Sequence, residues 1–258
     1  SINSWDWDLL KGKPFLVRLL GGLSKPKHQV LGADIAGIVE SVGPDVKSLQ
    51  PGDAVFGDIA GSGFGGFAEY ATASEKLLAK IPAGMSMEQA ACLPQAGLLA
   101  LQGLRYKKPL TSGQQLLING AGGAVGTLAL QFAKYIGATV TCVDKEEKSD
   151  TLLSLGADHF IDYQKQDYTA MGIQYDYILD VIAHRPVRDY RRTLKPSGVF
   201  AMIGGSMGGL LVQMMLLQPL FSLFRKKKLG IMGYRVSREG LEELASLCTK
   251  GIMAPVID

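Results

Sequence analysis

The stretch Leu116–Lys134, LLINGAGGAVGTLALQFAK, decides how this chain is read. Leu116, Leu117 and Ile118 form an apolar run long enough for a buried strand, and a glycine-dense turn, Gly120 to Gly126, follows directly. The period then changes. Val125, Leu128, Ala129 and Phe132 recur at i, i+3, i+4 and i+7, which predicts one apolar stripe on a helix packed back on the strand. Gly120, Gly123 and Gly126 stand three apart, so the chain turns without a Cβ clash, approaches a phosphate closely and lets the helix lie against the sheet. Unpaired N–H groups and the positive dipole end at the helix start make an anion site suited to a pyrophosphate. Asp144, a carboxylate at the end of the next predicted strand, completes a dinucleotide-binding pattern.

Downstream of this turn the pattern alternates. Strands are predicted at 116–119, 139–143, 159–161, 175–180, 199–203 and 229–233, with helices at 124–135, 147–155 and around 186–194. Six strands with crossover helices predict a doubly wound parallel sheet of the α/β class. A last helix starts after Ser237, carries Leu241, Leu244 and Leu247 on one face, and stops at Gly251. The apolar segment Gly209 to Phe224, followed by Arg225, Lys226, Lys227 and Lys228, contains Gln213, Gln218 and Pro219. It is shorter than the roughly 20 residues of a membrane span, so a buried or interface helix kinked near Pro219 is predicted, and no span.

Upstream, residues 1 to about 84 read as β. Ala33 to Val42, Ala54 to Asp58, Gly66 to Ala73 and Leu78 to Lys80 are short β-type runs between Gly, Pro and Asp turns, which predicts a small β-barrel-like unit. Met85 to Arg105 has helical composition with Ser86 as N-cap and Glu88 in the first turn. Pro94 and Gly97 interrupt it, so two short helices are predicted.

The 258 residues are 47% hydrophobic and 20% charged, ordinary globular material with a sizeable core. A net charge of +3, with acids and bases interspersed, leaves no basic face and excludes nucleic acid as the expected partner. Cys92, Cys142 and Cys248 are isolated, without a CxxC pair, and predict reduced, mostly buried thiols of a cytoplasmic protein. No signal-peptide pattern follows Ser1.

Together, Ser1-Ile2-Asn3 with Asp6, Leu31-Gly32-Ala33-Asp34-Ile35-Ala36-Gly37, Val42-Gly43, Pro51-Gly52-Asp53-Ala54-Val55 and Gly65-Gly66-Phe67-Ala68-Glu69-Tyr70 carry a resemblance. So do the glycine turn, Leu155-Gly156-Ala157-Asp158, Tyr175-Asp176 and Leu179-Asp180. Over essentially its whole length the chain resembles the medium-chain dehydrogenase/reductase superfamily, most closely its zinc-free quinone oxidoreductase branch. The resemblance implies a Rossmann cofactor domain at 85–251, a partial GroES-like catalytic domain at 1–84, and the start of a return to the catalytic domain at 252–258. It also implies that both outer ends of the catalytic domain lie beyond this chain, that substrate binds in the cleft between domains, and that strand 229–233 is a homodimer edge.

The resemblance assigns cofactor binding to the turn residues Gly120, Gly122, Gly123, Ala124, Val125 and Gly126, with Asp144 and Lys148 at the ribose. It places Asp180, Val181, Ile182, Gly204 and Gly205 along the nicotinamide half, and Tyr163 near the adenine. The expected cofactor is NAD(P)H. Asp144, Glu146 and Glu147 favour NADH over NADPH by repelling a 2′-phosphate, whereas Lys145 and Lys148 oppose that preference. Zinc ligands of other superfamily members correspond to Asn3, Ala33 and Ala96, none of which offers a thiolate or imidazole, so no metal is expected.

Without zinc, hydrogen-bond donors must stabilise the charge developing on the acceptor oxygen. Asn3 offers an amide N–H. Asp6 either holds Asn3, binds substrate, or is a turn or cap residue; Gln95 either contacts substrate or caps a helix end. His184 is a proton donor or a surface histidine, and Tyr70 reads as a core or interface ring. The expected activity is NAD(P)H-dependent reduction of quinones or α,β-unsaturated carbonyls, on a small apolar substrate. Zinc-free alcohol dehydrogenation and a non-catalytic dinucleotide-binding redox sensor or scaffold are the alternatives.

Overall fold

The computed structural model describes residues 1–13, 15, 17–205 and 228–257; the apolar segment 209–224 lies outside them. The chain divides into two compact units, Ser1–Leu98 with Arg235–Asp258, and Leu99–Tyr234.

The first unit opens on a helix rather than a strand. Asn3, in extended conformation, precedes α1 (Ser4–Lys11), and the Asp6 carboxylate accepts the Asn3 main-chain N–H at 3.0 Å. This cap nucleates a turn that an all-β reading of 1–84 does not contain. A second short helix, α2 (Val17–Gly21), follows. The sheet comprises β1 (Asp34–Ile38), β2 (Ala54–Asp58) and β3 (Leu78–Lys80), antiparallel in that order, with Asp34 directly opposite Asp58. Leu49, Val55, Ile59 and Leu78 are its buried apolar centre. The run 66–73 is not a strand. Gly66 and Phe67 bond to the carbonyls of Gly32 and Leu31, after which no ladder continues and the side chains from 67 to 72 are exposed. β-type residues without a neighbouring edge to pair with do not form sheet.

Two helices follow as expected, α3 (Met87–Ala91) and α4 (Pro94–Leu104). Ser86 and Gln89 form a capping box on α3, with bonds of 3.2 and 3.1 Å. Pro94 begins α4 rather than interrupting it, since the first helical position needs no N–H. Gly97 lies inside the same helix. A Cβ there would come within 2.7 Å of Leu244, on the apolar face of α8 (Arg238–Thr249), so the glycine permits close helix packing. Ser237 caps α8 through the Gly240 N–H, and Arg238 donates to the carbonyls of Leu78 and Glu75, tying α8 to β3.

Among the described residues of the second unit every strand is parallel. In chain order it holds β4 (Gln115–Asn119), α5 (Ala124–Ile136), β5 (Thr139–Asp144), α6 (Ser149–Ser154) and β6 (His159–Asp162). β7 (Tyr175–Asp180), α7 (Val187–Thr193), β8 (Leu194–Met202) and β9 (Lys228–Ile231) complete it. The sheet order is β6-β5-β4-β7-β8-β9, the doubly wound Rossmann order. β8 starts earlier than periodicity suggests, because Leu194 already pairs with Tyr175 before a register shift. Leu117, Ile178, Tyr190 and Phe200 are fully buried, with the Tyr190 and Phe200 rings 4.2 Å apart.

Two motif carboxylates are structural. Asp158 accepts from Lys134 and the Val140 N–H, and Asp176 from Lys195 and the Gln115 N–H, each joining strand ends to their neighbours. Burial pushes the Cys142 thiol up to about 12 and Cys248 up to about 11, so neither is a ready nucleophile. Among the described residues no helix is long and apolar enough to cross a membrane.

Candidate active site

The strand order reverses between β4 and β7, where Asn119 lies beside Asp180, and a ligand crevice is expected outside the carboxyl ends of these strands. The glycine turn stands there. Gly120 adopts φ +78°, which only glycine takes without strain, and its N–H and that of Ala121 reach back to the Val143 carbonyl. Gly126 lies against the turn so closely that a Cβ would fall 2.5 Å from the Gly120 and Ala121 oxygens. Gly123 differs. Its backbone is extended, and a Cβ would meet only the Gly120 oxygen, at 3.7 Å. The space beside Gly123 is therefore not required by the protein's own packing.

No side chain caps α5, whose first main-chain bond runs from the Thr127 N–H to the Gly123 carbonyl at 2.9 Å. The N–H groups of Ala124, Val125 and Gly126 thus open the helix at an exposed turn, the arrangement that binds phosphate. These residues fit a pyrophosphate.

Asp144 braces the turn from the next strand. One oxygen accepts the Gly122 N–H at 2.7 Å and the other the Lys145 N–H at 2.9 Å. Lys148 packs on the same glycine: a Cβ on Gly122 would lie 2.9 Å from its Cγ and 3.1 Å from an Asp144 oxygen. Val181 and Ile182 flank Gly120 from the other side, within 3.1–3.5 Å of where a Cβ would be. Gly204 and Gly205 let the chain leaving β8 run against 181–183, where the Ala183 N–H bonds the Gly204 carbonyl. Tyr163 follows β6, its N–H on the Asp144 carbonyl. The turn, Asp144, Lys148, Val181 and Ile182 thus form one cluster. Gly204 and Gly205 support it from behind.

Beneath it lies a buried polar floor. Asp180 is fully buried; Oδ1 accepts from Asn119 Nδ2 at 2.8 Å and the Ile182 N–H at 3.1 Å, while Oδ2 has no hydrogen-bond partner. Burial pushes this carboxyl up to about 6, against the pull of Tyr190 and Asn119. The Tyr190 hydroxyl accepts the N–H groups of His184 and Arg185, pinning the loop beyond β7. His184 itself is exposed, its ring turned to the Ile182 carbonyl.

A second constellation occupies the first unit and gathers Asn3, Asp6 and Gln95 around a residue not singled out from sequence, Asp34. Asp34 is 3% exposed. Its Oδ2 accepts from Asn3 Nδ2 at 3.0 Å and the Ser1 hydroxyl at 3.2 Å, and its Oδ1 from the Gln95 N–H at 3.1 Å. Asp6 holds the Asn3 backbone, not its amide, and its other oxygen takes the Gly32 N–H at 3.1 Å. The Gln95 N–H, in the first turn of α4, is thus taken by the Asp34 carboxylate. Burial pushes Asp34 up to about 7, opposed by the Asn3 bond and reinforced by Asp58. Tyr70 is 73% exposed and is no core ring. The signal for Asp34 and Asn119 was available: each is a polar residue set into or ending an apolar strand run.

The sequence that forms these two constellations is similar to known proteins over its whole length. Residues 1–83 match the alcohol dehydrogenase GroES-like domain and residues 124–250 the zinc-binding dehydrogenase family. The chain is 34% identical to quinone-oxidoreductase QR1, chloroplastic, of Triphysaria versicolor, over all of this chain and 78% of that protein. The chain belongs to the medium-chain dehydrogenase/reductase superfamily, in its quinone oxidoreductase-like branch. The superfamily likeness extends to structure. The quinone oxidoreductase of Coxiella burnetii superposes with a TM-score of 0.84 at 27% identity, covering 98% of this chain and 77% of that one. The Escherichia coli quinone oxidoreductase complexed with NADPH gives 0.80 at 26%, over 98% and 78%. A 2-methylene-furan-3-one reductase of Solanum lycopersicum is 39% identical over 61% of this chain, which spans 42% of that relative.

Membership in this superfamily brings a nicotinamide cofactor, which the glycine turn fits. Zinc is another matter. Asn3, Ala33 and Ala96, where the resemblance places the ligands of zinc-dependent members, offer no thiolate or imidazole. These residues do not fit the ion.

Proposed function

We propose that this protein is an NAD(P)H-dependent reductase of quinones or α,β-unsaturated carbonyls that works without zinc. The observation that carries this is the uncapped start of α5 at the strand-order reversal, beside a Gly123 whose missing side chain the protein's own packing does not require. The relatives and solved structures point the same way, three quinone oxidoreductases and a 2-methylene-furan-3-one reductase. Bound reduced nicotinamide supplies hydride when present. The turn amides hold its diphosphate, and Asp144, fixed by two N–H groups, accepts from a ribose hydroxyl. Asn3 offers its amide N–H to the substrate oxygen as charge builds there, the part a metal plays elsewhere in the superfamily. Solvent supplies the proton.

Asp144 makes NADH the preferred form, because a rigidly held carboxylate repels a 2′-phosphate. Fluorescence titration is expected to show NADH bound about tenfold more tightly than NADPH, and Asp144→Ser to erase the difference. Equal affinities in the unsubstituted protein would refute this role for Asp144. An acceptor panel separates a reductase from a binding protein: NADH oxidation with a quinone supports the first, tight binding without turnover the second.

The remaining assignments concern assembly and place. β9 is an edge strand with Ile231 partly exposed, and we assign it to a homodimer contact. Light scattering is expected to give twice the chain mass, and Ile231→Lys to give monomer; a monomeric unsubstituted protein would sink the assignment. Three unpaired thiols suit a reducing compartment, and we place the protein in the cytoplasm.

A further inference from the structure

An asparagine amide is a useful donor only if something decides which way it faces. Its two ends are nearly the same size, so packing alone discriminates poorly between N–H and carbonyl. At Asn3 the neighbour is a carboxylate. Asp34 Oδ2 accepts from Asn3 Nδ2 and the Ser1 hydroxyl while Oδ1 accepts the Gln95 N–H, so the carboxyl meets Asn3 as an acceptor and takes its Nδ2 end. With one Nδ2 hydrogen engaged, the second is fixed in the amide plane about 120° away. Asp34 is itself immobile. It opens β1 opposite Asp58, and its other oxygen is anchored on the Gln95 N–H at the first turn of α4. Asp6 independently holds the Asn3 backbone, so main chain and side chain of this residue are constrained by different carboxylates.

We propose that Asp34 is the positioning residue of the reaction, turning the Asn3 amide so that one N–H remains held for the substrate oxygen. This rests on the reductase reading above. It adds to that reading a residue that touches neither substrate nor cofactor and acts through Asn3 alone.

The test is a double-mutant cycle in the purified protein, with kcat and KM for a quinone and NADH affinity measured separately. Asn3→Ala is expected to lower kcat about 100-fold. Asp34→Asn keeps the shape but puts an amide N–H where either the Gln95 N–H or the Asn3 amide and Ser1 hydroxyl must be accepted. It is expected to lower kcat at least about tenfold, with NADH affinity unchanged. The double variant is expected to be no slower than Asn3→Ala, because Asp34 has nothing left to position. Losses that multiply would overturn the role of Asp34 while leaving the reductase reading standing. An Asn3→Ala enzyme with full kcat would remove the donor and, with it, this proposal. Should Asp34→Asn not fold, NMR of the unsubstituted protein decides. The two Asn3 Nδ2 protons are expected to exchange with solvent at different rates, the one on Asp34 slower, and equal rates would refute the bond.

Discussion

Gly123→Val is expected to leave the fold intact and to lower NAD(P)H affinity by about 30-fold or more, ~2 kcal/mol of lost phosphate interaction. The two halves of this expectation come from one measurement. A Cβ at Gly123 meets the Gly120 oxygen at 3.7 Å, an ordinary contact, and the residue is extended, a conformation any amino acid adopts. A Cβ here forces no neighbouring atom to move, so the melting temperature should shift little. What the side chain does occupy is the space before the α5 amides, where a diphosphate must approach closely. Gly126→Val is the control. There the Cβ falls 2.5 Å from backbone atoms of Gly120 and Ala121, which cannot move aside without unpacking helix from turn. It is expected to lose stability and binding together. Thermal melts and fluorescence titrations on the two variants check both. Unchanged NADH affinity in a folded Gly123→Val protein would remove the basis for the diphosphate site.

Asp180→Asn is expected to raise the melting temperature by about 5 °C at pH 8 and to change it little at pH 4. Burial raises the folded-state pKa of Asp180 to about 6, above its value of 3.8 in the unfolded chain. Between those values the folded state binds more protons than the unfolded one, so stability is fully present below about 4 and is lost as pH rises through about 6. Above that, the protein carries a buried charge whose Oδ2 finds no partner. An asparagine keeps an oxygen for Asn119 Nδ2 and the Ile182 N–H and carries no charge. A shift of about two pKa units sets an upper bound of ~3 kcal/mol on the gain. Calorimetry across pH 4–8 on both proteins checks it. A variant destabilised at pH 8 would show instead that the ionised carboxylate holds the floor of the site.

The elements that could be read ahead of the structure were those whose residues carry their own local rule. Ser86 and Ser237 announce helix starts because their hydroxyls satisfy orphan N–H groups three residues on, whatever the rest of the chain does. The same logic explains the misreadings. Residues 66–73 have strand composition, but a strand exists only where an edge accepts it. Gly97 looks like a helix breaker until Leu244, more than a hundred residues away, comes to occupy the place of its side chain. Asp6 was open between holding Asn3, binding substrate and capping a turn, and the fold sets it on the Asn3 main-chain N–H while giving the Asn3 amide to Asp34.

By itself, then, the sequence determined that this protein is a doubly wound α/β fold joined to a β-rich unit, and where its glycine turn lies. Hydrophobic period and glycine spacing are local properties, expressed within a dozen residues, and survive without tertiary context. Only the tertiary structure decided what the polar residues do. Asp34 converges with Ser1, Asn3 and Gln95, and Asp180 with Asn119 and Tyr190, across separations of tens of residues. Their burial and partners arise from packing, and no local pattern records them.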